Sequence, residues 1–254
     1  MDRGEAELAA DPDLALFLRP RHRVGPVGVP CDGVSTLGHV VESIGVPLTE
    51  VGSLVVNDQQ ATPAYRPQGG DKVRVHGITR PQRISPARFI LDVHLGTVAR
   101  RLRLAGIDTA YSTDADDDAL IEQANLEHRV LLTQDRGILR RRALVTGAYV
   151  RGDRPDSQLG DVLDRFAPPL APWTRCTTCN GLLAGAAKAD VESQLQPGTR
   201  RNYSAFARCQ ECGQVYWRGA HSERLAAIVD FAMRTVAERS AQGGRKVPYL
   251  GADP

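Results

Sequence analysis

Two spacings of apolar residues, alternate and helical, divide this chain into three stretches. In the first, from about Leu14 to Ile78, "LALFLRP" and "VGVP" read as a strand pair, and "STLGHVVESIG" reads as a helix opened by Ser35 or Thr36 and closed by Gly45. "GSLVVNDQQA" and "DKVRVHG" follow as strands, with a turn at Asn57-Asp58. The prolines of "TRPQRISPA" disfavour regular structure and mark a boundary. Beyond it the pattern alternates: "RFILD" strand, "HLGTVARRLRLAG" helix ended by Gly106, "IDTAYS" strand, "DDDALIEQANLEHR" helix, "VLLTQD" strand, "RGILRRR" short helix, "ALVTGAYVRG" strand, "PDSQLGDVLDRF" helix. Strand and helix in strict succession predict a mainly parallel sheet with helices on both faces. Leu95, Val98, Ala99 and Leu102 fall on one face of the first of these helices, and Arg100, Arg101 and Arg103 point elsewhere, as a solvated face would.

The third stretch begins near Trp173 and contains Cys176-Thr-Thr-Cys179 and Cys209-Gln-Glu-Cys212, separated by 29 residues with room for a short helix. "SERLAAIVDFAMRTVAERS" then reads as one amphipathic helix before a loose tail. The fold class is therefore α/β, in the order residues 12–79 (α+β domain), 80–87 (linker), 88–170 (parallel-sheet domain), 171–225 (cysteine-bearing domain) and 226–254 (helix and tail).

Composition adds constraints. Apolar residues at 42% and charged residues at 24% suit a chain that buries a core. The acidic start "MDRGEAELAADPD" lacks a hydrophobic signal region, and no apolar run is long enough to span a bilayer, so no membrane association and a cytoplasmic location are expected. Of the 32 basic residues only Lys72, Lys188 and Lys246 are lysines. The remainder are arginines, which bind phosphate bidentately, although codon bias yields the same ratio.

Four of the five cysteines lie in two C-x-x-C pairs, an odd set for disulfides and a strong signal for tetrahedral zinc. Thiolates Cys176, Cys179, Cys209 and Cys212 fill every position and leave none for water, so the zinc is read as structural and His221 as outside its ligand set. Cys31, alone in "VPCDG", reads as a small buried hydrophobe.

Functional groups in parallel sheets collect outside the carboxyl ends of the strands, and here those positions are aspartates. Asp92 ends "RFILD", Asp135 ends "VLLTQD", Asp153 follows "AYVRG", and Asp116, Asp117 and Asp118 open the helix after the second strand. Each has an ordinary use as a helix cap or turn residue. Gathered together, they require a divalent cation, and hard oxygen donors favour Mg²⁺ or Mn²⁺. Such ions hydrolyse phosphodiesters, and Arg136 with Arg140, Arg141 and Arg142 would then hold the backbone phosphates.

Two resemblances sharpen this reading. The strand pair, helix, "LVVND" turn and "GGDKVRVHG" resemble the ubiquitin-like fold of the sulfur-carrier and molybdopterin-synthase small-subunit family. Those carriers end in a free Gly-Gly tail, whereas Gly69-Gly70 precedes the last strand here, so a docking role for a protein partner replaces sulfur transfer as the expectation. From "RFILDVHLGTVARRLRLAG" through "LLTQDRGILRRR", "YVRGDRPDSQLGDVLDRF" and "RCTTCNGLL" to "CQECGQVYWRGAHSERL", the chain resembles the Mut-7 C-terminal RNase family of PIN-like nucleases with a zinc ribbon. By position that resemblance puts the acidic set on Asp92, Asp117 and Asp135, with Asp116 in reserve and Asp153 as a further candidate. His94 stands where the family commonly has methionine. The implied activity is metal-dependent hydrolysis of RNA, and the competing expectation is a non-catalytic RNA-binding or ribonucleoprotein adaptor.

Overall fold

A computed structural model describes residues 4–219 and 222–243, so His221 and the end of the tail lie outside the described residues. The chain divides into two compact units, one of residues 1–79 with 135–149, the other of residues 80–134 with 150–254.

In the first unit, β1 (Glu5–Ala10) and β2 (Val27–Pro30) form an antiparallel pair, α1 (Leu37–Ile44) follows, and β3 (Val51–Val56), β4 (Gln59–Ala61) and β5 (Lys72–Gly77) complete a sheet of order β2-β1-β5-β3-β4. β1 and β5 are parallel and central. Thr36 caps α1 by accepting from the His39 amide at 3.4 Å, and Gly45 ends it with φ 127°, a conformation open to glycine. Asn57 and Asp58 take φ of 49° and 64°, the left-handed pair of a two-residue hairpin turn.

The strand expected at "LALFLRP" is instead β1, at Glu5–Ala10, where exposed Glu5 and Glu7 alternate with buried Ala6 and Leu8. Leu14, Phe17 and Leu18 are spaced as on a helix, and Pro12 opens a 3-10 turn that delivers all three into the core with Leu37, Val41, Ile44, Val73 and Val75.

The second unit is built on β6 (Arg88–Leu91), α2 (Gly96–Leu104), β7 (Asp108–Tyr111), α3 (Asp117–Leu126) and β8 (Val130–Thr133). β6 lies between β7 and β8 and is parallel to both. Its Phe89, Ile90 and Leu91 are buried, as are Val130, Leu131 and Leu132 of β8, the continuous apolar runs of strands covered on both faces. Residues 135–149, which hold the short strand β9 (Gly147–Tyr149), belong to the first unit. The chain re-enters the second at Val150, whose amide donates to Thr133 O at 2.9 Å, and continues into α4 (Pro155–Phe166).

Three strands then form the cysteine-bearing sheet: β10 (Leu183–Ala186), β11 (Phe206–Cys209) and β12 (Val215–Tyr216), all antiparallel. The segment between the cysteine pairs folds as α5 (Lys188–Val191), a 3-10 turn and α6 (Pro197–Asn202), which bury Val191 and Leu195 against Phe206 and Val215. α7 (Ser222–Gly243) packs on α4, and Arg239 pairs with Asp164. Among the described residues no helix is long and apolar enough to cross a membrane.

Arg103 corrects the expected solvated arginine face, because it is 3% exposed. Its Nε donates to Thr109 O at 2.8 Å and its Nη1 to Thr178 O at 2.8 Å, tying α2, β7 and the first cysteine turn together. Asp108 extends this junction, accepting from Arg129 Nη1 at 2.7 Å and Asn180 Nδ2 at 2.8 Å, with Arg175 and Arg88 also within ion-pair distance. Burial pushes the Asp108 carboxyl up, but the hydrogen bonds from Arg129 and Asn180 and the charges of Arg129 and Arg175 outweigh it and hold the carboxyl below its ordinary value of 3.8.

A carboxyl lowered on folding contributes stability above its unfolded pKa and loses it as pH falls through the folded value. Asp108→Asn is therefore expected to destabilise the protein by about 3 kcal/mol at pH 7, the cost of breaking a buried ion pair. The difference from the natural chain should shrink below pH 3.8 in denaturant titrations.

Candidate metal centres

The first C-x-x-C pair lies on a tight turn before β10. The Cys176 amide donates to Gly181 O at 2.8 Å and the Asn180 amide to Cys176 O at 3.0 Å, with Asn180 in the left-handed region at φ 74°. The second lies on the turn after β11, where the Cys209 amide donates to Gln214 O at 2.9 Å and Gly213 takes φ 74°. Pairing of β10 with β11 sets Leu183 opposite Cys209 and so brings the turns together.

All four Sγ atoms lie within 4.8 Å of one another, with Cys179 and Cys209 at 3.4 Å and Cys176 and Cys212 at 3.7 Å. Tetrahedral zinc with Zn–S bonds of about 2.3 Å sets its sulfurs about 3.8 Å apart. The four thiols therefore fit zinc, and soft donors without an open position suit a structural ion. Burial pushes the Cys176 thiol up, but the Tyr216 hydroxyl, 3.0 Å away, and the Cys179 and Thr178 amides bring it down to about 6, toward the thiolate that binds metal. Gly181 is needed for this closeness, since a Cβ there would stand 2.9 Å from Cys209 Sγ. Among the described residues these cysteines are the one group of three or more metal-ligating side chains at such distances.

The aspartates are arranged differently. Asp92 follows β6 and is 6% exposed. Its amide donates to Leu132 O at 3.1 Å, and its Oδ2 accepts from Thr133 Oγ1 at 2.7 Å. No lysine or arginine forms an ion pair with it among the described residues. Thr133, itself fully buried, is the residue the sequence reading missed. As a small polar residue closing an otherwise apolar strand it carries no sequence signal of its own.

Asp116 is the N-cap of α3 and accepts from the Ala119 amide at 2.9 Å; Asp117 and Asp118 begin the helix, and all three are exposed. Asp135 is exposed, and its Oδ1 accepts from the Gly137 amide at 2.6 Å. Asp153 and His94 are exposed, while Cys31 is half-buried with its thiol 3.8 Å from Val29 O. Arg136 and Arg140, read as phosphate groups, donate to the carbonyls of Leu16 and Gly45 in the first unit. An open depression of about 800 Å³ on the ribbon is bordered by Asp190, Arg208, Glu211 and Cys212, and the strand-end aspartates do not line it.

The cysteine geometry predicts one zinc per chain by elemental analysis. Cys209→Ser should lose it and lower the melting temperature by several degrees, as should a strong chelator; unchanged melting with no zinc found would remove the assignment.

The Mut7-C RNAse domain model matches residues 87–229, and the Mut7-C ubiquitin model matches residues 4–83. No curated protein and no solved structure matches the chain. The first match covers more than half of the sequence and spans the parallel sheet, the strand-end aspartates and all four cysteines. The chain therefore belongs to the Mut7-C RNAse domain family, with a Mut7-C ubiquitin unit ahead of the nuclease-type domain.

Proposed function

We propose that this chain is a metal-dependent ribonuclease in which Asp92, Asp117 and Asp135 hold Mg²⁺ or Mn²⁺ for hydrolysis of RNA phosphodiester bonds. The observation that carries the reading is the contrast between two carboxylates of one sheet. Asp108, at the start of β7, is surrounded by Arg88, Arg129 and Arg175. Asp92, at the opposite end of β6, is more deeply buried and has no such partner among the described residues. A carboxylate desolvated to that degree costs several kcal/mol unless a cation offsets it. It stands where parallel sheets bind ligands.

Mg²⁺ or Mn²⁺ would supply the charge that activates water and stabilises the departing oxygen. Thr133 holds one Asp92 oxygen by donating to it, which fixes the carboxylate rotamer. Asp117 opens α3 from the exposed first turn, while the Asp116 side chain is engaged with the helix amide of Ala119 and serves as the reserve ligand. Asp135 supplies a third carboxylate two residues beyond Thr133, and Asp153 a further one after Val150. The four reduced cysteines suit zinc in a reducing compartment, in keeping with a cytoplasmic protein. The ubiquitin-like unit offers a surface for a protein partner.

A second reading, an RNA-binding adaptor without cleavage, draws on the ribbon, where Trp217 and Arg218 are exposed and the Arg218 guanidinium lies 5.9 Å from the Trp173 ring centroid. Aromatic and arginine groups of this kind stack on unpaired bases. Metal dependence separates the two.

Under the ribonuclease reading, Mn²⁺ raises the melting temperature of the natural chain and not that of Asp92→Asn. Asp92→Asn and Asp135→Asn each lower Mn²⁺-dependent cleavage of single-stranded RNA by roughly 100-fold or more, and Thr133→Val lowers apparent metal affinity about 10-fold. Undiminished cleavage by Asp135→Asn would refute the site as drawn; RNA binding without cleavage or a metal-induced shift would favour the adaptor.

A further inference from the structure

We propose that Arg136 and Arg140 are pins by which the N-terminal unit holds the loop carrying Asp135, making that unit an internal holder of the acidic loop. The proposal rests on the reading of Asp135 as a metal ligand. It starts from the grouping of residues 135–149 with residues 1–79 in one compact unit.

The segment is fastened along its length. Arg136 Nη2 donates to Leu16 O at 2.8 Å, and its guanidinium lies 5.3 Å from the Phe17 ring centroid and 5.8 Å from that of Tyr149. These two rings meet edge to face at 5.1 Å, so the arginine completes a three-membered cluster in which Phe17 is 2% exposed. Arg140 Nη2 donates to Gly45 O at 2.5 Å, placing a cation and a donor at the C-terminus of α1, where helix carbonyls lack partners. Between these arginines Ile138 and Leu139 are buried. At the far end the Tyr149 amide donates to Glu50 Oε1 at 2.8 Å, with Glu50 2% exposed and Tyr149 packed against the core of the unit.

An arginine that reads phosphate must present its donor fork to solvent. Arg136 is half-buried with one donor on a carbonyl and its guanidinium beside two rings, the arrangement of a group that fixes backbone. It adjoins Asp135, whose Oδ1 is turned onto the Gly137 amide of the same loop. Arg136 is thus a positioning residue acting through Asp135.

Hydrogen exchange on the full chain, with cleavage and salt-dependent binding of a poly-uridine oligonucleotide, tests this. In Arg136→Ala, and separately in Arg140→Ala, amides of residues 137–149 should exchange about tenfold faster while β6 and β8 stay protected. Cleavage kcat should fall by a similar factor with KM unchanged, and the salt dependence of binding should equal that of the natural chain. Arg136→Lys keeps the charge and loses the planar guanidinium, so it should resemble Arg136→Ala. Unchanged exchange in both alanine variants overturns the proposal, as does faster exchange with undiminished cleavage. A salt slope reduced by about one per arginine, with activity preserved in Arg136→Lys, would return these side chains to phosphate contact and equally overturn it. If the natural chain cleaves nothing, the ribonuclease reading fails on its own, and the exchange arm still decides whether the unit holds the loop.

Discussion

Removing a carboxylate from water is the constraint around which the second unit is arranged. Asp108 meets it with arginines drawn from β6, from the turn before β8 and from the first cysteine turn, and with the Asn180 amide. The result is mechanical as well as electrostatic: charges distant in sequence are neutralised only when β6, β7 and the cysteine turn stand in their final places. Arg103 adds the complementary case of a buried cation satisfied by the carbonyls of Thr109, Thr177 and Thr178. The ribbon is thereby seated on the sheet by polar groups that tolerate no vacancy, since either partner left alone would be a desolvated charge.

Asp92 shows the same constraint with a different resolution. The strand geometry that buries Phe89, Ile90 and Leu91 also carries the following carboxylate inward, and the sheet provides a threonine hydroxyl in place of an arginine. A hydroxyl fixes orientation without neutralising charge, and no lysine or arginine forms an ion pair with Asp92 among the described residues. The two ends of one sheet thus hold a carboxylate differently, by arginines at the amino end and by a hydroxyl at the carboxyl end.

Much of this was legible in the sequence because it depended on local patterns. α4 spans the segment that its apolar spacing and leading proline indicated, α1 is capped by Thr36 and closed by Gly45, and the cysteine pairs converge as their spacing required. The failures have a common physical origin. Arg103 belongs to an arginine run in which Arg100 is exposed, and only tertiary carbonyls identify it as buried. β1 was concealed by glutamates that alternate with buried residues, whereas Leu14, Phe17 and Leu18 had strand-like composition and helical spacing. Thr133 lacked a signal of its own until its hydroxyl was seen to meet a carboxylate 41 residues away.

Arg136 and Arg140 illustrate the deepest of these limits. A run of arginines beside an aspartate has the composition of a phosphate-binding surface, and composition cannot distinguish a fork facing solvent from one facing a carbonyl. The distinction depends on residues more than ninety positions earlier, where Leu16 and Gly45 present their oxygens on a separate sheet domain. A unit related to ubiquitin-like folds could be attached to a nuclease-type domain as an independent module. Here residues 135–149 belong to the N-terminal unit, with half-buried Tyr149 packed against its core. The segment cannot then leave without exposing more of that aromatic and breaking the Arg136 and Arg140 hydrogen bonds, so the order of the loop carrying Asp135 is tied to the stability of the N-terminal unit.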